Sequence, residues 1–216
     1  MPLVTLSFDN GPHPGVTPMA LQTLARYAIP ATFFVLGKNI EAPEGRAAMA
    51  EAHARGHWIG NHTYHHETPL GLIEDPAASV EEIERTDALI GDYASPSPLF
   101  RPYGQGGMLD RRLLSEAAVD HLLKRRATCV TWNVVPRDWS DPYGWVDTAL
   151  RQIGEQEESL VVLHDIPTGA MVHLERFIEG ALALGAAFRQ DFPDDCVLIR
   201  EGSPTAALSA YVTRRQ

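Results

Sequence analysis

The sequence predicts one α/β domain, either barrel-like or doubly wound, in which parallel strands are covered by outer helices. Short runs rich in Val, Ile, Phe and Thr alternate with longer segments of helical periodicity, the pattern of βα units. A length of 216 residues suits one domain or slightly more. The Pro/Gly/Ser-rich joints are too short to be linkers. We therefore expect a single domain over residues 1–216, with a tail over 201–216 that packs on it or trails from it.

The strands and helices follow from residue type and spacing. Seven runs are predicted to be strands: Leu3–Phe8, Ala31–Leu36, Trp58–Asn61, Pro98–Arg101, Thr128–Val135, Leu160–His164 and Cys196–Arg200. Apolar residues repeated at spacings of three and four predict amphipathic helices that face a sheet. The clearest of these stripes run over Leu21–Ala28, Leu113–Leu122 and Leu174–Leu182.

Composition narrows the class of protein. With 18 Lys and Arg against 28 Asp and Glu, the formal charge of −10 disfavours nucleic acid and anionic membrane surfaces as partners. No apolar run approaches the ~20 residues of a membrane span, and no secretion-signal pattern is seen at the N-terminus, so we expect a cytoplasmic protein. Cys129 and Cys196 lack a Cys-x-x-Cys spacing and are interpreted as small buried hydrophobes.

Reactive side chains fall just past the ends of the predicted strands. Because parallel strands deliver their carboxyl ends to one face, we expect the loops that follow five of them to converge there. The side chains concerned, in chain order, are Asp9, Asn10, His62, His65, His66, Arg101, Tyr103, Asp138, Trp139, His164 and Asp165.

Two histidines at this edge could bind a metal ion. His62 and His66 are spaced i, i+4, which on a helical turn puts two imidazoles on one face. A third ligand must come from elsewhere, and a polar loop without a metal is the alternative interpretation. Asp9 at the mouth of the first strand is a natural general base and the Asn10 amide oxygen could reach a metal, although Asn-Gly-Pro is also an ordinary turn.

A third histidine could act as an acid. His164 ends a very apolar strand, where partial desolvation makes its pKa movable, but a lone histidine there could equally be a packed core residue. Asp138 is a suitable carboxylate to orient that imidazole.

Five ordered motifs resemble those of the NodB-homology polysaccharide deacetylases, carbohydrate esterase family 4, over nearly the whole chain. Ser7–Pro12 is similar to the first motif, Thr-Phe-Asp-Asp-Gly-Pro, and His62–His66 to the second, His-Ser/Thr-x-x-His. Phe100–Gly104 is similar to the third, Asp138-Trp139 to the fourth, and Val162–His164 to the fifth, Leu-x-His. The resemblance implies a distorted (β/α)7 barrel, with parallel strands and outer helices.

The resemblance also implies a site. A divalent cation, usually zinc, would be held by His62, His66 and the residue at position 10, with a water completing the coordination. Asp9 would take the proton of that water and would be positioned by Arg101.

The resemblance also implies roles at the oxyanion, at the leaving amine and at the edge of the cavity. The backbone N–H of Tyr103 would help to hold the oxyanion. His164, which Asp138 would orient and whose pKa Asp138 would adjust, would protonate the leaving amine. Trp139 would line the site. The expected function is a metal-dependent hydrolase that removes an N-acetyl group from an amino sugar, an oligosaccharide or a related small amide.

The chain departs from the family pattern at three places. Asn10 replaces the metal-binding Asp, Arg101-Pro102-Tyr103 is one residue shorter than Arg-x-Pro-Tyr, and Val135 replaces the first Asp of the fourth motif. The shorter motif predicts that either Arg101 or the Tyr103 donor is out of register. Asn10 keeps a second hypothesis open, a catalytically weakened carbohydrate-binding homologue. A third is an amidohydrolase of the same fold that acts on a non-sugar amide.

Overall fold

A curled, mostly parallel β-sheet surrounded by helices forms the centre of the structure, a computed structural model that describes residues 1–94 and 97–214. The strands are β1 (Leu3–Asp9), β2 (Ala31–Val35), β3 (Trp58–Asn61), β4 (Leu99–Phe100), β5 (Leu114–Ser115), β6 (Thr128–Val130), β7 (Glu158–His164), β8 (Ala187–Arg189), β9 (Val197–Arg200), β10 (Ser203–Pro204) and β11 (Val212–Thr213). The helices are α1 (Thr17–Arg26), α2 (Gly37–Glu41), α3 (Pro43–Ala54), α4 (Pro76–Ile90), α5 (Glu116–Lys124), α6 (Trp145–Gly154) and α7 (Leu174–Ala183).

The sheet order brings the carboxyl ends of six parallel strands to one mouth. The order is β10-β9-β6-β4-β3-β2-β1-β7, with β8 beside the first half of β1. After β6 the chain pairs once more, through a parallel bridge between Val134 and Val161 of β7, which draws the two sides of the sheet together. The predicted α/β class and distorted barrel are therefore confirmed.

Two strands run against the expected all-parallel arrangement. β9 is antiparallel to β6, and β10 is antiparallel to β9. A parallel pairing requires a long crossover, usually a helix, and only residues 190–196, without an α-helix, lead from β8 into β9. The strand predicted over Thr128–Val135 ends at Val130, because the following residues leave the ladder and only Val134 pairs again.

The buried core lies between the sheet and its helices. Phe8 of β1, Leu24 of α1 and Phe177 of α7 are fully buried in one cluster. In a second cluster, Leu208 and Val212 of the tail pack near β5 and α5. The tail residues Arg215 and Gln216 lie outside the described residues.

Two expectations from composition concern membranes and cysteines. Within residues 1–94 and 97–214, no helix combines the length and apolar character needed to cross a membrane. Cys129 and Cys196 are free and buried. Burial raises the pKa of both thiols, that of Cys196 to about 12, so both are neutral small side chains at neutral pH.

Candidate functional site

A cavity of about 190 Å³ opens at the carboxyl ends of the strands. Arg101, Asp138 and Asp165 are buried behind its surface, and His65 does not line it either. The other predicted site residues line it together: Asp9, Asn10, His62, His66, Tyr103, Trp139 and His164. The structure thus brings together side chains that are far apart in the sequence.

Asp9 is held by a buried ion pair with Arg101. Arg101 Nη1 donates to Asp9 Oδ1 at 2.8 Å and to Ser7 Oγ at 2.6 Å, and Nη2 donates to the Thr131 carbonyl at 3.0 Å. The guanidinium also lies 4.2 Å from the centre of the Phe34 ring. Although the third motif is shorter, Arg101 therefore remains within reach of Asp9. The second oxygen of Asp9, Oδ2, lies 3.6 Å from His62 Nε2.

The two imidazoles of the second motif lie side by side and neutral. His62 Nδ1 donates to the Arg101 carbonyl at 2.8 Å, because a carbonyl can only accept, and this leaves Nε2 as the ring nitrogen with a free lone pair. The His62 and His66 ring centres are 4.7 Å apart. Burial lowers the pKa of His62 to about 3 and that of His66 to about 2, with the neighbouring His62 as a second cause for His66. Both rings are in the form that binds metals.

The segment that carries these histidines is a loop and not a turn of helix. Thr63 and His66 have φ values of 71° and 57°. The left-handed region is unfavourable for a β-branched residue such as Thr63, and the residues of a right-handed α-helix do not adopt it. The rings meet because the loop folds back on itself and not because of an i, i+4 helical face.

Asn10 contributes a buried oxygen to the same cavity. Its φ is 69°, a conformation that Asn and Asp tolerate better than most residues, and its backbone carbonyl accepts from Asn39 Nδ2 at 2.8 Å. The next residue, Gly11, packs so closely on Asp165 that a Cβ there would lie 2.1 Å from the carboxylate. Asn10 Oδ1 has no hydrogen-bond partner among the described residues. Its environment therefore leaves it available to a ligand.

These donors fit a divalent cation of borderline hardness. Two neutral imidazoles and an unpartnered amide oxygen line one cavity, and imidazole suits zinc and other first-row metals. In the part of the chain that is described, no three His, Cys, Asp or Glu side chains are grouped to hold a metal ion. The third donor here would be an amide, which carries no charge and attracts a cation more weakly than a carboxylate.

His164 is tied to Asp138 on the other side of the cavity. His164 Nδ1 donates to Asp138 Oδ1 at 2.8 Å, and the His164 backbone N–H donates to Oδ2 at 2.8 Å. Burial acts to lower the pKa of His164, but the hydrogen bond and charge of Asp138 outweigh it, with smaller effects of Asp9 and Asp165, and the pKa is raised. Trp139 packs edge-on against this ring at 4.8 Å between centroids.

An apolar wall completes the cavity. It is made by Trp132, Val135, Trp139 and Val162. Trp132 was not predicted as a site residue, because the strand was expected to continue past it to Val135. If the strand had been known to end at Val130, Trp132 would have counted among the side chains that follow a strand end and are expected at the site. Its indole is 5% exposed, and its Nε1 has no partner among the described residues.

Comparison with known proteins gives four consistent matches. Residues 1–121 match the model of a family described as polysaccharide deacetylase. The chain is 33% identical over 167 residues to the chitooligosaccharide deacetylase of Sinorhizobium fredii. This alignment covers 76% of this chain and 72% of that protein. A solved T48 deacetylase with substrate aligns with 26% identity and a TM-score of 0.70 over 88% of both chains. A family 4 acetyl xylan esterase from Clostridium thermocellum, solved with a cobalt ion, aligns with 25% identity and a TM-score of 0.69 over 87% of both.

Proposed function

Because the chain belongs to the polysaccharide deacetylase family, we propose that its cavity is the active site of a metal-dependent hydrolase that removes the acetyl group from the nitrogen of an amino sugar. The enzyme is a hydrolase of carbon–nitrogen bonds. We propose an N-acetylated oligosaccharide as its substrate, since a relative that aligns over more than two thirds of both chains is a chitooligosaccharide deacetylase. The observation that carries the proposal is the convergence of Asp9, His62, His66 and His164 on one cavity.

The family generally uses a divalent cation, and we propose zinc. His62, His66 and Asn10 would hold it, through the two neutral rings and the unpartnered amide oxygen. When bound, the cation would polarise the acetamide carbonyl and make water a better acid. Zinc is favoured over magnesium or calcium because two of the three donors are imidazoles.

Asp9 is the proposed general base. Its carboxylate lines the cavity, and Arg101 holds one of its oxygens at 2.8 Å, which leaves the other to accept a proton from water. Such positioned proton transfer contributes typically about 10²- to 10⁴-fold to a rate. Arg101 also keeps the carboxylate from turning away from the site, because its guanidinium is fixed by Ser7 and Thr131.

His164 is the proposed general acid for the leaving amine. Asp138 binds its Nδ1, so Nε2 is the nitrogen that would give a proton to the substrate. A raised pKa keeps the ring protonated to higher pH, as the role requires. We propose that the backbone N–H of Tyr103 donates to the developing oxyanion. Trp139 lines the site beside His164.

The direct test is acetate release from chito-oligosaccharides by the purified protein, with and without a chelator. We expect acetate release that the chelator abolishes and that added zinc or cobalt restores. If the metal-loaded protein releases no acetate and shows no chelator-sensitive amidase activity on a wider panel, the proposal is wrong. Oligosaccharide binding without turnover would instead identify a binding homologue, and turnover of non-sugar amides alone would identify the amidohydrolase.

Asn10→Asp is expected to tighten zinc binding, because it restores an anionic ligand at a site of two neutral rings. Asp is isosteric with Asn and tolerates the same left-handed backbone, so the turn should not change. Calorimetric titration of the metal-free proteins with zinc measures the effect, with His62→Ala as the control that should lose binding. Equal or weaker affinity in Asn10→Asp would contradict the assignment of this residue as a ligand.

Asp138→Asn is expected to move the alkaline limb of the kcat/KM pH profile to lower pH. The change removes the charge that opposes the effect of burial, so the pKa of His164 falls. A general acid must be protonated, and a lower pKa means that the protonated form is lost earlier as pH rises. Asp147→Asn, an exposed carboxylate on α6, is the matched control and should leave the profile unchanged. An unshifted limb in Asp138→Asn would rule out His164 as the group that titrates there.

A further inference from the structure

One carboxylate on α4 binds the loop that carries the two histidines, here named the histidine loop (residues 61–66). Glu82 Oε2 accepts from the backbone N–H groups of Tyr64 at 3.1 Å and His65 at 2.9 Å. Its other oxygen pairs with His65 Nδ1 at 2.5 Å. The Glu82 side chain is only 15% exposed. Three bonds from a largely buried carboxylate therefore end on two consecutive loop residues.

The histidine loop needs such a partner, because its backbone is irregular. Thr63 and His66 lie in the left-handed region, so the amides between them cannot join a helix or a ladder. Successive N–H groups in such a turn form a concave site that suits an anion, and Glu82 occupies it. Strain of this kind persists only where the surroundings hold the backbone.

The carbonyls of the same loop are bound by α2. Gly37 N–H donates to the Thr63 carbonyl at 3.0 Å, and Lys38 N–H donates to the Tyr64 carbonyl at 3.2 Å. Lys38 Nζ donates to the His65 carbonyl at 2.8 Å. The loop is thus held at its carbonyls by α2 and at its amides by Glu82, and these contacts bracket the turn between His62 and His66.

We infer that Glu82 is a positioning residue that fixes the backbone of the histidine loop, so that the His62 and His66 rings face the cavity together. The inference rests on the proposed function in one respect, the use of these rings as metal ligands. Glu82 touches neither the cavity nor the reacting atoms and acts through the backbone of Tyr64 and His65. A simple surface ion pair with His65 would not require the two backbone bonds.

The experiment compares Glu82→Ala, Glu82→Gln and Glu81→Ala with the wild-type protein. Glu81 is the exposed neighbour on α4 and serves as the matched control. Three quantities are measured after thermal unfolding has shown that each variant folds. They are the zinc Kd by calorimetry, the visible spectrum of the cobalt-loaded protein, and the hydrogen-exchange rates of the Tyr64 and His65 amides in the metal-free protein.

We expect Glu82→Ala to raise the zinc Kd about 10- to 100-fold, the usual range for partners that orient ligands. The cobalt spectrum should change, and the two amides should exchange faster. Glu82→Gln should lie closer to wild type, because its amide oxygen can still accept from both backbone N–H groups, and Glu81→Ala should match wild type. If Glu82→Ala fails to fold, Glu82→Met takes its place, because it keeps the length of the side chain and has no oxygen to accept from the two amides. Faster exchange of those amides in Glu82→Met supports the inference, and an unchanged rate overturns it.

Wild-type affinity, spectrum and exchange rates in a folded Glu82→Ala would overturn the inference. A wild-type protein that binds neither zinc nor cobalt would instead overturn the metal-dependent function. Amide exchange in the metal-free variants would then decide by itself whether Glu82 fixes the loop.

Discussion

Asp9→Asn is expected to lower kcat about 10²- to 10⁴-fold, the usual contribution of a positioned general base. An amide cannot accept a proton from water at neutral pH, whereas its shape matches that of the carboxylate. The Asn oxygen can still accept from Arg101 Nη1, and Ser7 and Thr131 keep their bonds to the same guanidinium. The active-site geometry should therefore survive while the chemistry is lost.

Acetate release at saturating zinc measures this loss. Asp92→Asn removes a charge of the same sign from an exposed position and should keep wild-type kcat. Circular dichroism and the zinc Kd of Asp9→Asn should show that the variant is folded and metal-loaded. A folded, metal-loaded Asp9→Asn that retains more than about a tenth of wild-type kcat would exclude Asp9 as the base, because the contribution expected of it is larger than tenfold.

Arg101→Met is expected to lower the free energy of unfolding by about 3–5 kcal/mol, the usual cost of breaking a buried ion pair on one side. Arg101 is fully buried, and its removal leaves the Asp9 carboxylate, 3% exposed, without its cation. The Ser7 hydroxyl and the Thr131 carbonyl also lose a donor. Met fills a similar volume, so a cavity contributes little to the effect.

The matched control is Arg112→Met. Arg112 pairs with Asp110 at 2.6 Å, but both side chains are more than a third exposed, and an ion pair that is screened by solvent contributes little to stability. Urea unfolding at pH 7 measures both variants. The double variant Asp9→Asn, Arg101→Met should be less destabilised than the sum of the two single changes, because neither partner is left charged and alone. Equal losses for Arg101→Met and Arg112→Met would contradict the buried-pair interpretation.

The sequence alone predicted the fold class and named most of the side chains that the structure brings to one cavity. Both depend on local order along the chain: alternating strand and helix patterns predict βα units, and polar residues after strands predict one functional edge. Asp9 and His164 are the last residues of β1 and β7, and His62 directly follows β3. The prediction from residues at strand ends needs no knowledge of contacts, because every parallel strand delivers its carboxyl end to the same face. The expected parallel direction was wrong for β9, which runs antiparallel to β6.

Only the tertiary structure decided how these groups are held and in which form. The lone pair of His62 is on Nε2 because the carbonyl of Arg101, 39 residues away, accepts from Nδ1. The pKa of His164 is raised and not lowered because Asp138 outweighs burial, a balance that depends on a contact of 2.8 Å. Glu82 looks like any other acidic residue of α4 until its oxygens are seen on the histidine loop. Hydrogen bonds and charge interactions in a desolvated site depend on which groups share the same few ångströms, and local sequence patterns do not encode that proximity.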